Sequence, residues 1–196
     1  MTRNRLRRLA AVFALVVGVP FVFSAVTVAQ TETVSIGIRD ACDPKTFNAA
    51  VGPGTCIGGP HGTTKFEFFI QELKEDHIAG AWRFNPLLKA SNGTFQLVRL
   101  NVVSGQQTLL QNKGGETHTF TRVEKFGGGL VPPLNVLSEN PVLAPECLQP
   151  PSDTNMFVEE GETESGPTAG TSALPVGVNN FQCCIHPWMR LRIVVH

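Results

Sequence analysis

The sequence predicts an all-β protein, an antiparallel sandwich or barrel with few helices. The chain contains 19 glycines and 14 prolines among 196 residues, which favours turns and short strands over long helices. Apolar runs of strand length alternate with turn signals, as in sandwiches and barrels. A hydrophobic content of 42% supplies enough apolar side chains for a core, so most of the chain is expected to be ordered.

Residues 1–29 are predicted to be an export signal and not part of the fold. Residues 10–29 carry no charge, and they follow a basic start. The basic residues are Arg3, Arg5, Arg7 and Arg8. The run ends in Thr27-Val28-Ala29, so cleavage before Gln30 is expected, with an uncleaved membrane anchor as the alternative. In either case the remainder would be periplasmic or extracellular, because the arginines stay inside.

The exported remainder is mildly acidic. The whole chain has 16 basic and 16 acidic side chains, and four of the basic ones lie in the first eight residues. A body with a net charge of about −4 offers no basic face for phosphates, so nucleic-acid binding is not expected. Contact with a membrane is expected only if the N-terminal segment is not cleaved.

Residues 30–79 are predicted to form an N-terminal extension. Val34–Ile38 alternates apolar with small or polar residues, which indicates a half-buried strand. Cys42 and Cys56 enclose a Gly/Pro-rich stretch with little core of its own, so a disulfide is expected to close this loop. Next, Thr64-Lys65-Phe66-Glu67 has the form of a capping box, which predicts a short amphipathic helix. The phenylalanines at helical spacing behind it are expected to belong to the core.

Residues 80–196 are predicted to form the main β domain. The expected strands are Ala81–Asn85, Phe95–Val103, Gln107–Gln111, Thr117–Val123, Asn180–Cys184 and Leu191–Val195. Between the fourth and fifth of these, residues 124–170 are rich in Gly, Pro, Asn and Glu and predict a long irregular loop. A loop of this length is usually functional or mobile.

The segment between the last two strands carries the chemistry. It reads Cys183-Cys184-Ile185-His186-Pro187-Trp188-Met189, so a thiol, an imidazole and a thioether lie within seven residues. Soft sulfur with imidazole favours copper over ions that prefer oxygen. Two imidazoles and a thiolate in a plane, with a distant methionine sulfur, form a blue-copper site. The second imidazole is expected from His118, at the start of a strand that follows Gly114-Gly115.

This motif, with the upstream His118-Thr119-Phe120 strand, resembles the small cupredoxins amicyanin and plastocyanin. The resemblance includes Trp82–Pro86, the Ser104-Gly105 turn and Asn112, and covers residues 80–124 and 155–196. It implies a Greek-key β-sandwich that binds one copper ion. The implied equatorial ligands are His118, Cys183 and His186, and the implied axial ligand is Met189.

The doubled cysteine departs from the family pattern. Successive side chains on a strand point to opposite faces, so only one of Cys183 and Cys184 reaches the metal. The spacing to His186 selects Cys183. Cys184 is then expected to pair with Cys147, which leaves Cys183 as the one free thiol. Zinc is the alternative metal, but methionine is a poor zinc ligand.

The ligand set and the resemblance predict an exported one-electron carrier that exchanges electrons with a redox partner protein. His186 is expected to be the edge through which electrons pass. An enzyme is not expected, because four protein ligands leave no open position on the metal. Two alternatives remain: a copper-binding or delivery protein without a redox partner, and an interaction module with a vestigial site.

Some residues are expected to have no role in the metal site. His61, His77 and His196 lack partners in sequence and are predicted to be solvated. Asn112 is interpreted as a turn residue, with a tie between the ligand loops as the alternative. Trp188 is expected to pack rather than to shield the site. Residues 92–94 form a glycosylation sequence, which matters only where the source glycosylates.

Overall fold

The protein is built around two β-sheets. The computed structural model describes residues 33–60, 63–84, 97–166 and 174–196. The strands are β1 (Val34–Arg39), β2 (Arg83–Phe84), β3 (Val98–Val102), β4 (Thr108–Asn112), β5 (His118–Val123), β6 (Asn155–Val158), β7 (Thr163–Gly166), β8 (Gly177–Gln182) and β9 (Arg190–Val195). The helices are α1 (Pro44–Ala50), α2 (Phe66–Asp76) and α3 (Pro132–Leu137), with a 3₁₀ turn at Pro145–Leu148. The predicted β-sandwich class is confirmed.

The two sheets are mixed, which corrects the expectation of purely antiparallel strands. The first sheet has the order β2-β1-β4-β7 and the second β3-β9-β8-β5-β6. β1 pairs with β4 in parallel, and β3 pairs with β9 in parallel. Both partners of each parallel pair lie far apart in sequence, as a crossover requires. Hydrophobic alternation sets which face of a strand is buried, but it does not determine the direction of the neighbouring strand.

The core lies between the sheets. In β9, Leu191, Ile193 and Val195 are buried while the residues between them are half-buried, so the strand presents one apolar face inward. The rings of Phe120 in β5 and Phe181 in β8 stack at 4.3 Å. Stacked aromatic pairs in such a layer stabilise the fold beyond the apolar area that they bury.

A short helix, α1, occupies the loop that the Cys42–Cys56 disulfide closes, where no regular structure was expected. Asp43 caps it, since its side chain accepts a hydrogen bond from the backbone N–H of Thr46 at 3.0 Å. Phe47 of this helix is 2% exposed and belongs to the main core. The loop therefore has a core contact of its own, contrary to the expectation from its composition.

The predicted amphipathic helix is confirmed as α2, but its capping box is not. The N-cap residue is Lys65, whose side chain makes no capping hydrogen bond, and the N–H of Phe66 donates to Oγ1 of Thr46 at 3.1 Å. Thr64 instead forms a parallel β-bridge with Cys42, so the backbone of Thr64 pairs with the segment that follows β1. Phe69 and Leu73 are buried, so the apolar stripe is part of the core, as expected. This core also holds β1 residues, so the described part of residues 30–79 packs with the rest of the protein.

The long loop predicted at residues 124–170 is mostly irregular in its described part, but it contains short regular elements. Pro132 and Pro133 open α3, because proline suits the first turn of a helix. β6 pairs antiparallel with β5, and β7 with β4, so this segment supplies an edge strand to each sheet.

Several predictions concern residues outside the described ranges. They are the N-terminal export segment, His61, and the sequence at residues 92–94. Within the described ranges, no helix has the length and apolarity needed to cross a membrane.

Candidate metal centre

Three side chains from distant parts of the sequence converge at one end of the second sheet. The Sγ atom of Cys183 lies 3.8 Å from Nδ1 of His118 and 3.8 Å from Nδ1 of His186. The two Nδ1 atoms are 3.3 Å apart. All three residues are buried. The structure therefore brings together one thiol and two imidazoles, each facing the other two.

The second sheet positions these residues. His118 is the first residue of β5, and Cys183 directly follows β8. His186 and Met189 lie in the loop between β8 and β9, which pair antiparallel. The backbone N–H of Cys183 donates to the Met189 carbonyl at 3.0 Å, and that of Met189 donates to the His186 carbonyl at 2.9 Å. Met189 is 1% exposed. The local hairpin thus holds three predicted ligands together, as their spacing indicated.

The Cys183 sulfur is in the environment of a thiolate. It accepts the backbone N–H of Thr119 at 3.3 Å and that of His186 at 3.4 Å. Burial alone would raise the pKa of the Cys183 thiol, but hydrogen bonds and charge interactions with His118 and His186 outweigh it and hold the pKa well below its usual value. The thiolate is the form that binds metals.

A buried carboxylate contacts the His118 ring on the side away from Cys183. The Nε2 atom of His118 lies 2.9 Å from Oδ2 of Asp40, and neither side chain is exposed to solvent. Burial would lower the pKa of His118, but the interactions with Asp40 and Cys183 exceed this effect and raise it to about 10. Because Asp40 occupies the Nε2 side, Nδ1 is the atom that faces Cys183. Hydrogen bonding of the far ring nitrogen is the usual arrangement of a metal-binding histidine.

His186 is enclosed as well, and its predicted role in passing electrons stays a prediction. The residue is 4% exposed. Its Nε2 atom lies 3.7 Å from Oε2 of Glu116, which accepts a hydrogen bond from Nε1 of Trp82 at 2.5 Å. Desolvation raises the pKa of Glu116, partly opposed by His186 and Trp82. The Trp188 ring lies edge-on to His186 at 5.4 Å, so Trp188 both packs, as predicted, and covers the site.

Asn112 does more than form a turn, although its side-chain hydrogen bonds do not include the loop that holds Cys183, His186 and Met189. Its Nδ2 atom donates to the carbonyls of Glu116 at 2.8 Å and Val158 at 2.9 Å, and its Oδ1 accepts from Gly114 N–H at 2.9 Å. This buried side chain therefore joins the segment before His118 to β6.

Two further histidines among the described residues, His77 and His196, fall outside this cluster. The His77 side chain is 44% exposed and contacts the Leu137 carbonyl and Glu139, so it has partners that its sequence neighbours did not indicate. His196 is exposed and lies near Asn101. Neither takes part in the metal site.

The predicted disulfide pairing is confirmed. Cys42 pairs with Cys56, and Cys147 pairs with Cys184. Cys183 is the free cysteine, and it is buried. A second group of possible ligands consists of Asp40, Cys42 and Glu116. It is not a metal site of this kind, because the sulfur of Cys42 is bonded to that of Cys56.

The three facing atoms fit a metal ion. With metal–nitrogen distances of about 2.0–2.1 Å and a metal–sulfur distance of about 2.3 Å, a planar site requires about 3.6 Å between nitrogens and about 3.8 Å between sulfur and each nitrogen. The separations in the protein are 3.3, 3.8 and 3.8 Å. One thiolate and two imidazoles in a plane are the donor set of a blue-copper centre.

Sequence reasoning missed the residues that surround the ligands. Asp40 and Glu116 received no role, and Trp82 was noted only for the family resemblance. Asp40 and His118 are separated by 78 residues. No local motif joins positions that far apart, so only the pairing of β1 with β4 brings the carboxylate to the imidazole.

No family model matches the chain, and no curated protein matches it. Solved structures do. A purple cupredoxin from Nitrosopumilus maritimus is 12% identical and aligns over 83% of this chain and 99% of its own, with a TM-score of 0.40. A Cu(I) amicyanin variant is 15% identical over 54% of this chain and 76% of its own, with a TM-score of 0.30. A reduced amicyanin variant is 19% identical over 50% and 69%, with a TM-score of 0.29. These neighbours are cupredoxins. The sequence motifs resemble the same family. The metal is inferred from the donor atoms and their distances and not from these neighbours.

Proposed function

We propose that the protein is an exported one-electron carrier in which His118, Cys183 and His186, with Met189 as a weaker ligand, would hold a single copper ion. This proposal depends on the triangle formed by Nδ1 of His118, Nδ1 of His186 and Sγ of Cys183. The separations of these three atoms suit a metal ion bound between them. Copper bound there would supply the one-electron couple between Cu(I) and Cu(II).

The surrounding residues hold this arrangement rigid. Each histidine has a carboxylate beside its far nitrogen, and the Cys183 sulfur has two backbone N–H donors. Rigid ligands favour electron transfer, because the same positions then serve both oxidation states and little rearrangement accompanies the exchange. Met189 and the apolar residues around the site would adjust the reduction potential.

The location and partner belong to the proposal. Two disulfides fit an oxidising compartment, which supports export to the periplasm or beyond. A redox partner protein would approach the loop between β8 and β9, where Ile185 is only half-buried, as is Arg190 at the start of β9. Copper delivery is less well supported, because every proposed ligand is buried and rapid exchange needs access to the ion.

A copper titration tests the proposed function. Adding Cu(II) to the oxidised, folded protein should produce an intense visible absorption from the thiolate-to-copper transition, and the band should saturate at one copper per chain. We expect this because the two neighbouring imidazoles hold the pKa of the Cys183 thiol well below its usual value, which favours the metal-binding thiolate. A weak spectrum without this band would show that Cys183 does not bind copper, and would contradict the proposal.

The His118→Ala variant should lose this absorption and bind copper far more weakly. Changes to hydrogen-bonding partners of ligands cost about 10–100-fold in metal affinity, and loss of a ligand should cost more. Added imidazole should partly restore the band by filling the vacated position. The matched control is His77→Ala, which removes a surface histidine outside the cluster. Unchanged copper stoichiometry and colour in His118→Ala would exclude His118 as a ligand.

A further inference from the structure

One carboxylate joins the metal site to the N-terminal part of the chain. Asp40 directly follows β1, outside the residues that carry the family resemblance, and its Oδ2 lies 2.9 Å from Nε2 of His118. The resemblance assigns it no role. Its contact is made by a side chain that is 1% exposed, on an imidazole that is fully buried.

The backbone around Asp40 is arranged to hold a negative charge. Gly115 N–H donates to Oδ1 and Oδ2 at 2.9 and 3.0 Å, Glu116 N–H to Oδ2 at 3.1 Å, and Cys42 N–H to Oδ1 at 3.3 Å. All of these partners are donors, so both oxygens act only as acceptors. Hydrogen bonds from N–H groups to a carboxylate are stronger than those to a neutral acceptor.

Gly114 makes room for the Asp40 carboxylate, and Gly115 makes room for the backbone of Gly58. A Cβ atom on Gly114 would lie 1.9 Å from Oδ2 of Asp40, which is well inside any contact distance. A Cβ on Gly115 would lie 2.6 Å from the backbone nitrogen of Gly58. The Gly-Gly turn that precedes His118 therefore lets the backbone approach the carboxylate closely.

We infer that Asp40 is a positioning residue for the metal: it holds the His118 ring with Nδ1 towards Cys183 and places a negative charge one imidazole away from the ion. This inference rests on the proposed function. Because the attraction between charges is proportional to their product, the carboxylate stabilises a divalent ion more than a monovalent one. The carboxylate thus favours Cu(II) over Cu(I) and lowers the reduction potential of the site.

Glu116 provides an internal comparison. It lies at 3.7 Å from His186 Nε2, outside hydrogen-bond distance, and its Oε2 is already engaged by Trp82. Its influence on the imidazole that it faces should therefore be weaker than that of Asp40. If a direct hydrogen bond to the ligand matters, removing the Asp40 charge should have a larger effect than removing the Glu116 charge. If only buried charge matters, the two effects should be similar.

The test compares metal affinities of the full chain carrying Asp40→Asn or Glu116→Gln, with Co(II) and Cu(I) as probes. Asp40→Asn should lower Co(II) affinity about 10–100-fold. The ratio of Co(II) to Cu(I) affinity should fall by at least about threefold, because Cu(I) carries half the charge. The reduction potential of the copper-loaded variant should rise. Glu116→Gln should change each quantity in the same direction but less.

Exposed carboxylates supply the controls. Asp76→Asn and Glu67→Gln remove the same charge from the surface of α2, and should leave the affinity ratio and the potential unchanged. An Asp40→Asn protein with wild-type thermal unfolding, affinity ratio and potential would overturn the inference. If instead the wild-type chain shows no thiolate-to-copper band, the proposed function itself fails.

A measurement on the unaltered protein covers the case in which Asp40→Asn does not fold. In the Zn(II)-loaded protein labelled with ¹⁵N, the Nε2–H of His118 should appear downfield and exchange slowly with water, because it donates to a buried carboxylate. A His118 ring that is bound to zinc through Nε2, or whose Nε2–H exchanges rapidly, would contradict the inference.

Discussion

Replacing Cys183 by serine is expected to remove the intense visible band of the copper-loaded protein completely. The band requires a sulfur ligand, and all other cysteines are held in disulfides. Serine fits the site, since its oxygen can accept the same backbone N–H groups of Thr119 and His186. Copper affinity should fall by more than the roughly 100-fold that loss of an outer hydrogen-bonding partner costs, because the soft donor is gone.

Thiol counting accompanies this experiment. The denatured, unreduced wild-type protein should contain one reactive thiol and the Cys183→Ser variant none. Far-ultraviolet circular dichroism should show that the variant is folded. A folded variant that kept the band would refute the assignment of Cys183 as the ligand.

Removing the Cys147–Cys184 disulfide is expected to lower the free energy of unfolding by about 4 kcal/mol. The bond closes a segment with a sequence separation of 37, and loss of such a link restores conformational freedom to the unfolded chain. The double variant Cys147→Ala/Cys184→Ala should therefore unfold at lower denaturant concentration. Below that transition the copper band should persist, because the hydrogen bonds to the Cys183 sulfur do not involve the disulfide.

The other disulfide gives a matched comparison. Cys42 and Cys56 are separated by 14 residues, so the same chain-entropy relation predicts a smaller loss of about 3 kcal/mol. Chemical denaturation of both double variants measures the difference. An unchanged unfolding midpoint after loss of Cys147 and Cys184 would show that this bond does not restrain the unfolded chain.

The N-terminal extension, residues 30–79, contributes directly to the surroundings of the metal site, although it lies outside the family resemblance. β1 lies in the first sheet beside β4, and the residue after it, Asp40, contacts His118. Phe47 and Phe69 pack within 5.6 Å of the Trp82 ring, which in turn donates to Glu116. The extension therefore supplies both a carboxylate and part of the apolar layer around the ligands.

The sequence by itself determined those features that depend on neighbouring residues. Cys183, His186 and Met189 could be grouped because one hairpin loop contains them all. The free thiol could be identified by counting, because the strand alternation separates Cys183 from Cys184. The apolar stripe of α2 and the strand at β1 were visible for the same reason, since helical and strand periodicities are local properties of the chain.

Only the tertiary structure decided what surrounds the ligands. Asp40 meets His118 across 78 residues, and Trp82 meets Glu116 across 34. His186 is next to Pro187 in a loop, a position typical of an exposed residue, yet packing against Trp188 and Glu116 buries it. The sequence also did not predict that β1 pairs with β4, and β3 with β9, in parallel. Each of these contacts joins segments that have no local pattern in common, and packing of the two sheets against one core selects them.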